Sequence, residues 1–165
     1  MGVNIRQLKD SSYEFTQRAL IDSIIQDVGL DNAKGVKPVP AKVSLRLHAA
    51  KDQKPFDLNF NYRSAVGKLN YLAQTTRPDI MYATHQIAKY ASDPREIHGE
   101  AILYLVRYLK KTRDLGLKFK PDPSKGFECF CDADFSGLWN KSFAPVDPST
   151  AKSRSGWIIF YAGCS

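Results

Sequence analysis

Two carboxylates, Asp132 and Asp134, close an apolar, cysteine-bearing run in FECFCDADFSGLWN, residues 127–140. Carboxylate oxygens are hard ligands suited to Mg²⁺, and side chains two apart on an extended strand share a face, so the pair holds the elements of a cation site. Two-metal phosphoryl chemistry needs more, because ions about 3.5–4 Å apart are bridged by carboxylates from several elements. One strand cannot supply them. The competing reading is a turn, since an Asp ahead of Ser136-Gly137 can bond nearby backbone and end the strand. Local physics favours the turn and leaves the metal reading open.

A second group is basic. Arg107, Lys110, Lys111 and Arg113 cluster at the end of REIHGEAILYLVRYLKKT, followed by Lys118 and Lys120. Cations there complement a helix dipole and solvate a face. They also form a track for phosphates, with Tyr104 and Tyr108 interleaved for sugar, base or packing contacts. Other chemistry has less support. His48, His85 and His98 are scattered with no nucleophile elbow beside them and read as structural. Cys129 and Cys131 read as small buried hydrophobes, because a structural zinc site needs four ligands and no second CxxC or HxxxH occurs.

The elements that must position these groups follow from composition and period. The chain has 165 residues, 43% of them hydrophobic and 25% charged, which is globular and long enough for one domain or two small ones. A formal charge of +7 favours polyanionic partners such as nucleic acid. Three cysteines, an odd number, argue against a disulfide framework and for a reducing compartment. No apolar run approaches the ~20 residues of a membrane span and the start lacks a signal peptide's apolar core, so the expected location is cytoplasmic or nuclear, neither secreted nor in a membrane.

Alternation at Val3 and Ile5, and again at Tyr13 and Phe15, reads as a β-hairpin about the polar KDSS. Leu20, Ile21, Ile24, Ile25 and Val28 then fall at helical spacing, with Gly29 as the stop. Residues 31–61 carry Pro38, Pro40 and Pro55 and no sustained period, and read as a linker that divides the chain. Three helices are expected next. The first, 62–76, has the stripe Tyr62, Val66, Leu69 and Ala73 flanked by Leu72; the second starts at Pro78, with Ile80, Ala83, Ile87 and Tyr90 or Ala91; the third, 95–112, has Ile97, Ala101, Leu105 and Leu109 flanked by Ile102 and Val106. Short connections pack them as an antiparallel bundle. LGLKFK, FECFCDAD and SGWIIFYAG read as three terminal strands. The expected class is therefore α+β: hairpin and helix over 1–30, linker over 31–61, a three-helix bundle over 62–113, and an antiparallel sheet over 114–165 that looks incomplete because no helix covers its face.

The wording of these segments carries a resemblance. YRSAVGKLNYLAQTTRPDIMYA, HGEAILYLVRYLKKTRDLGLKF, CDADFSGLWN and SRSGWIIFYAGC together resemble the Pol polyprotein of copia-type LTR retrotransposons, with Tyr62-Arg63-Ser64, Arg77-Pro78-Asp79-Ile80 and Asp132-Ala133-Asp134 the most specific words. The resemblance implies that 1–30 is the end of a reverse transcriptase palm, 62–113 a thumb and connection, and 114–165 the truncated start of a ribonuclease H-like domain. It makes Asp132 the first catalytic aspartate and Asp132 with Asp134 metal positions, with Mg²⁺ bound only in the complete enzyme. Arg107, Lys110, Lys111 and Arg113 become contacts to an RNA-DNA hybrid or duplex, and the rest of Pol becomes a partner. The polymerase's Tyr-x-Asp-Asp hairpin and the remaining nuclease carboxylates are absent, so this chain alone is expected to be inactive. A host-retained basic binding module, or a remnant without function, is the alternative.

Overall fold

The computed structural model describes residues 2–42, 47–137, 139–142, 144, 145 and 147–164. The element order is β1 (Asn4–Gln7), β2 (Tyr13–Thr16), α1 (Arg18–Asp27), α2 (Tyr62–Thr75), a 3-10 turn at Pro78–Ile80, α3 (Met81–Ala88), α4 (Glu96–Lys111), β3 (Leu117–Phe119), β4 (Phe127–Asp134), a 3-10 turn at Pro148–Ala151 and β5 (Arg154–Tyr161). This is an α+β chain with an N-terminal hairpin, four helices and small sheets. It divides into two units, Met1–Ile5 with Phe15–Leu117 and Arg6–Glu14 with Lys118–Ser165. Among the described residues no helix is long and apolar enough to cross a membrane.

In the first unit all four helices share one core. Leu20, Ile21, Ile24 and Ile25 of α1 are buried with Tyr62, Val66, Leu69, Leu72 and Ala73 of α2, Ala83 and Ile87 of α3, and Ile102, Leu105, Val106 and Leu109 of α4. Helical spacing set each of these faces. Gly29, at φ +69°, ends the first helical run in the left-handed conformation that costs glycine nothing. Asn61 caps α2 by accepting the Ser64 amide at 2.9 Å.

Among the described residues of 31–61 there is no helix or strand, yet Leu47 joins this core and Phe56 and Phe60 pack against it. The segment is fastened to the start of α4 by backbone bonds, Phe56 N to Pro94 O at 3.0 Å and Glu96 N to Lys54 O at 3.1 Å. A Cβ at Gly99 would lie 2.7 Å from the Phe56 ring, so glycine there makes room for that packing.

The second unit holds the hairpin turn and the ribbon of β4 and β5. Asp10 shapes the turn by accepting from the Ser12 amide and hydroxyl, and Lys118 pairs with it at 3.1 Å. Strands β4 and β5 are antiparallel in full register, from Phe127 opposite Tyr161 to Asp134 opposite Arg154. Two expectations fail in this half of the chain. Among the described residues the terminal strands do not form one three-stranded sheet: β3 lies in the order β1-β2-β3, and β4 pairs with β5 alone. Alternation marks a strand but not its partner, and Gly116, whose Cβ would lie 2.0 Å from Phe15 O, is what lets the chain ahead of β3 approach β2 so closely. The run FECFCDAD is also not buried. Every residue of β4 is exposed, including Cys129 and Cys131, because a two-stranded ribbon has no second layer to cover it.

Candidate functional site

Two of the three words most specific to the resemblance, at Tyr62-Arg63 and Arg77-Asp79, are fasteners between helices. Tyr62 and Arg63 open α2 and donate to carbonyls at and just beyond the end of α3, Tyr62 Oη to Ile87 O at 2.9 Å and Arg63 Nε to Ala91 O at 3.0 Å. Ile87 O also accepts the Tyr90 amide at 3.2 Å, so the two side chains add a tie between α2 and that end of α3.

Arg77 does more. Its guanidinium is buried and grips the Asp79 carboxylate with two bonds, at 2.9 and 2.8 Å, in the fork geometry that arginine matches best. Its other edge donates to Thr112 O at 2.9 Å and Thr112 Oγ1 at 2.7 Å, at the residue capping α4. Tyr108 donates to Asp79 at 2.7 Å, and its ring lies 5.6 Å from the guanidinium carbon. Burial pushes the Asp79 carboxyl up, but the Arg77 and Tyr108 bonds outweigh it and hold the group below its ordinary range. Burial, then the bond to Asp79, pushes the Tyr108 hydroxyl up.

His98 has a structural place. Its Nδ1 accepts the Arg95 amide at 2.9 Å while Nε2 stands 2.8 Å from His48 O, so the ring is the neutral Nε2-H tautomer. It stacks on Tyr90 with centroids 4.2 Å apart. Burial, the largest influence, pulls its pKa below the ordinary value.

The four basic candidates differ in what they touch. Lys110 donates to Leu30 O, Asp31 O and Ala33 O at 2.8, 2.7 and 3.1 Å, which uses all three ammonium protons. Arg113 pairs with Asp22 at 2.5 Å. Arg107 is half-buried and Lys111 exposed on α4, and no carboxylate among the described residues pairs with either. Two cations missed in the sequence join them, for Lys37 and Lys42 place their ammoniums 5.2 and 5.8 Å from the Tyr104 ring centre. The signal available was the three lysines of NAKGVKPVPAK, residues 32–42, which a linker reading treats as solvated.

Asp132 and Asp134 lie on one face of β4 with Phe130. Asp132 stands opposite Gly156, so no side chain faces it across the ribbon. Asp134 faces Arg154 at 3.8 Å, and the following turn folds close over it: a Cβ at Gly137 would lie 2.2 Å from its Oδ1. No group of three or more His, Cys, Asp or Glu among the described residues could hold a metal ion. Two carboxylates on one strand, one facing an arginine, do not fit a two-metal centre.

Comparison with known proteins gives these features a lineage. An uncharacterised mitochondrial protein of Arabidopsis thaliana is 28% identical over 100% of this chain and 62% of its own length. A secreted RxLR effector protein of Plasmopara viticola is 34% identical over 64% of this chain and 69% of its own. The retrovirus-related Pol polyprotein of transposon RE2 from Arabidopsis thaliana is 27% identical over 97% of this chain, which spans 10% of that polyprotein. Over nearly its whole length the chain is homologous to copia-type retrotransposon Pol polyproteins, in their reverse transcriptase C-terminal region. No protein-family model matches it. No solved structure matches it either.

Proposed function

We propose that this chain is a nucleic-acid-handling piece of a retrotransposon Pol polyprotein, contributing template-primer contacts while the chemistry resides elsewhere. The observation that carries the reading is the alignment of 97% of the chain with a tenth of a Pol polyprotein. In this reading residues 1–30 end the palm, 62–113 act as thumb and connection, and 114–165 begin a ribonuclease H-like domain. A basic balance of +7 and the α4 cations support contact with an RNA-DNA hybrid. Mg²⁺ belongs to the complete enzyme, where Asp132 would be the first ligand and Asp134 a second, joined by carboxylates from the rest of Pol. That same remainder would cover the β4–β5 ribbon, and the setting would be cytoplasmic or nuclear.

Two measurements test this. Anisotropy titration of a labelled RNA-DNA hybrid should give an affinity whose logarithm falls linearly with the logarithm of salt concentration. No binding at low salt refutes the nucleic-acid reading. Divalent-dependent cleavage of the hybrid, abolished by Asp132→Asn, would refute catalytic incompleteness. A second reading, a non-catalytic module outside any polyprotein, draws on the two relatives of which this chain covers 62% and 69%. Flanking DNA separates the two: an in-frame Tyr-x-Asp-Asp upstream favours the polyprotein, and stop codons favour the module.

A further inference from the structure

Within the first unit the 31–42 segment and α4 build a positively charged surface that none of the helices makes alone. Lys37 donates its backbone N–H to Arg107 O at 3.3 Å, which sets the segment against the helix. Tyr104, Arg107 and Lys111 follow at i, i+3 and i+7 and so share one face of α4. Beside that face Lys37 and Lys42 hold their ammoniums within 6 Å of the Tyr104 ring centre. Pro38 and Pro40 lie between the two lysines and fix the backbone φ there, which lowers the entropy lost in holding both cations in place.

We infer that Lys37, Lys42, Arg107 and Lys111, gathered around Tyr104, form a site for the phosphate backbone of nucleic acid that reads no base sequence. The inference rests on the nucleic-acid reading above and changes its chemistry. Free tyrosine rings stack on bases. Here two ammoniums lie near the Tyr104 ring, so the ring serves as a platform for cations and the cations face the ligand. Two like charges sharing one ring repel each other, and an anion between them relieves that repulsion. No carboxylate among the described residues pairs with any of the four cations, so a phosphate displaces no internal ion pair. Lys110 and Arg113, whose charges are already matched by carbonyls or a carboxylate, lie outside the site.

The experiment is a salt series of anisotropy titrations with two labelled RNA-DNA hybrids of unrelated base sequence. Replacing Lys37 and Lys42 together by Ala should make the salt slope shallower by about 2, at ~0.9 per phosphate contact, and equally for both hybrids. Lys37→Arg with Lys42→Arg should keep the slope. Tyr104→Leu should weaken binding with the slope nearly kept, because it frees the lysines without removing their charge. Far-UV circular dichroism confirms that each variant is folded. An unchanged slope in the double alanine variant, alongside a shallower one in Arg107→Ala with Lys111→Ala, overturns this site and leaves the broader reading standing. A loss that depends on base sequence also overturns it. A wild-type chain that fails to bind either hybrid overturns both.

Discussion

Replacing Arg77 tests whether the Arg-Pro-Asp word is a fastener. Its side chain is 2% exposed and makes four hydrogen bonds, two to Asp79 and two to Thr112. Arg77→Ala removes all four and leaves Asp79 with the Tyr108 hydroxyl, while Thr112 O loses its side-chain donor. Breaking a buried ion pair from one side costs about 3–5 kcal/mol. Asp79 is 38% exposed and recovers some hydration, so the lower end, about 3 kcal/mol, is expected. For a chain of this size that lowers Tm by roughly 6–12 °C. Urea unfolding followed at the helical circular dichroism band reports it, since the clamp ties the 3-10 turn ahead of α3 to the end of α4. Arg77→Lys should recover little of the loss, because an ammonium cannot serve a carboxylate and two threonine oxygens in fork geometry. The pH sign follows from Asp79: its folded pKa is depressed, so its contribution is complete above the ordinary carboxylate range and is lost as pH falls through the folded value. A change under ~1 kcal/mol in Arg77→Ala, or full stability in Arg77→Lys, refutes the clamp.

His98 predicts a second pH effect. Because its folded pKa lies below the ordinary 6.5, the unfolded chain takes up the proton first, so stability should be complete above about 6.5 and decline as pH drops below it. Urea midpoints measured from pH 7 to 5 should slope in wild type and flatten in His98→Gln; equal slopes would dismiss the buried neutral ring. Two glycines should respond in opposite directions. A Cβ at Gly116 would meet Phe15 backbone at 2.0 Å, so Gly116→Ala should cost about 1–3 kcal/mol, whereas Gly67, exposed inside α2 with nothing within 4 Å of its Cβ position, should gain about 0.5–1 kcal/mol as Ala. Thermal melts of both variants check the pair, and the same sign in both contradicts the packing described.

Helical faces were legible because period and burial are local properties of sequence. The stripes of α1 and α2 are buried as their spacing predicts, and so are Leu105 and Leu109 of α4 with Ile102 and Val106 beside them, but the start of α4 differs: His98 is buried while Ile97 and Ala101 are half-buried. A capping histidine that turns back on Arg95 shifts the face, and hydropathy does not register a histidine as core. The cage around Lys110 was illegible for a different reason, since its carbonyls come from residues about 80 positions earlier. Exposure of Cys129 and Cys131 was likewise hidden, because apolar alternation reports what a strand would bury and not whether a covering layer is present.

The β4–β5 ribbon bears on the timing of synthesis. Among the described residues the hydrophobic core of the first unit draws on nothing beyond Leu109, so it can close on the ribosome while β4 is still being made. The ribbon then emerges with Trp157 and Phe130 in water on opposite faces, 73% and 57% exposed, and a lone pair of strands is marginally stable at best. Its two strands must also wait for one another across residues 135–153. During that interval the ribbon is a substrate for chaperones and for any other open strand edge nearby. A long-lived product therefore depends on how soon both faces find cover.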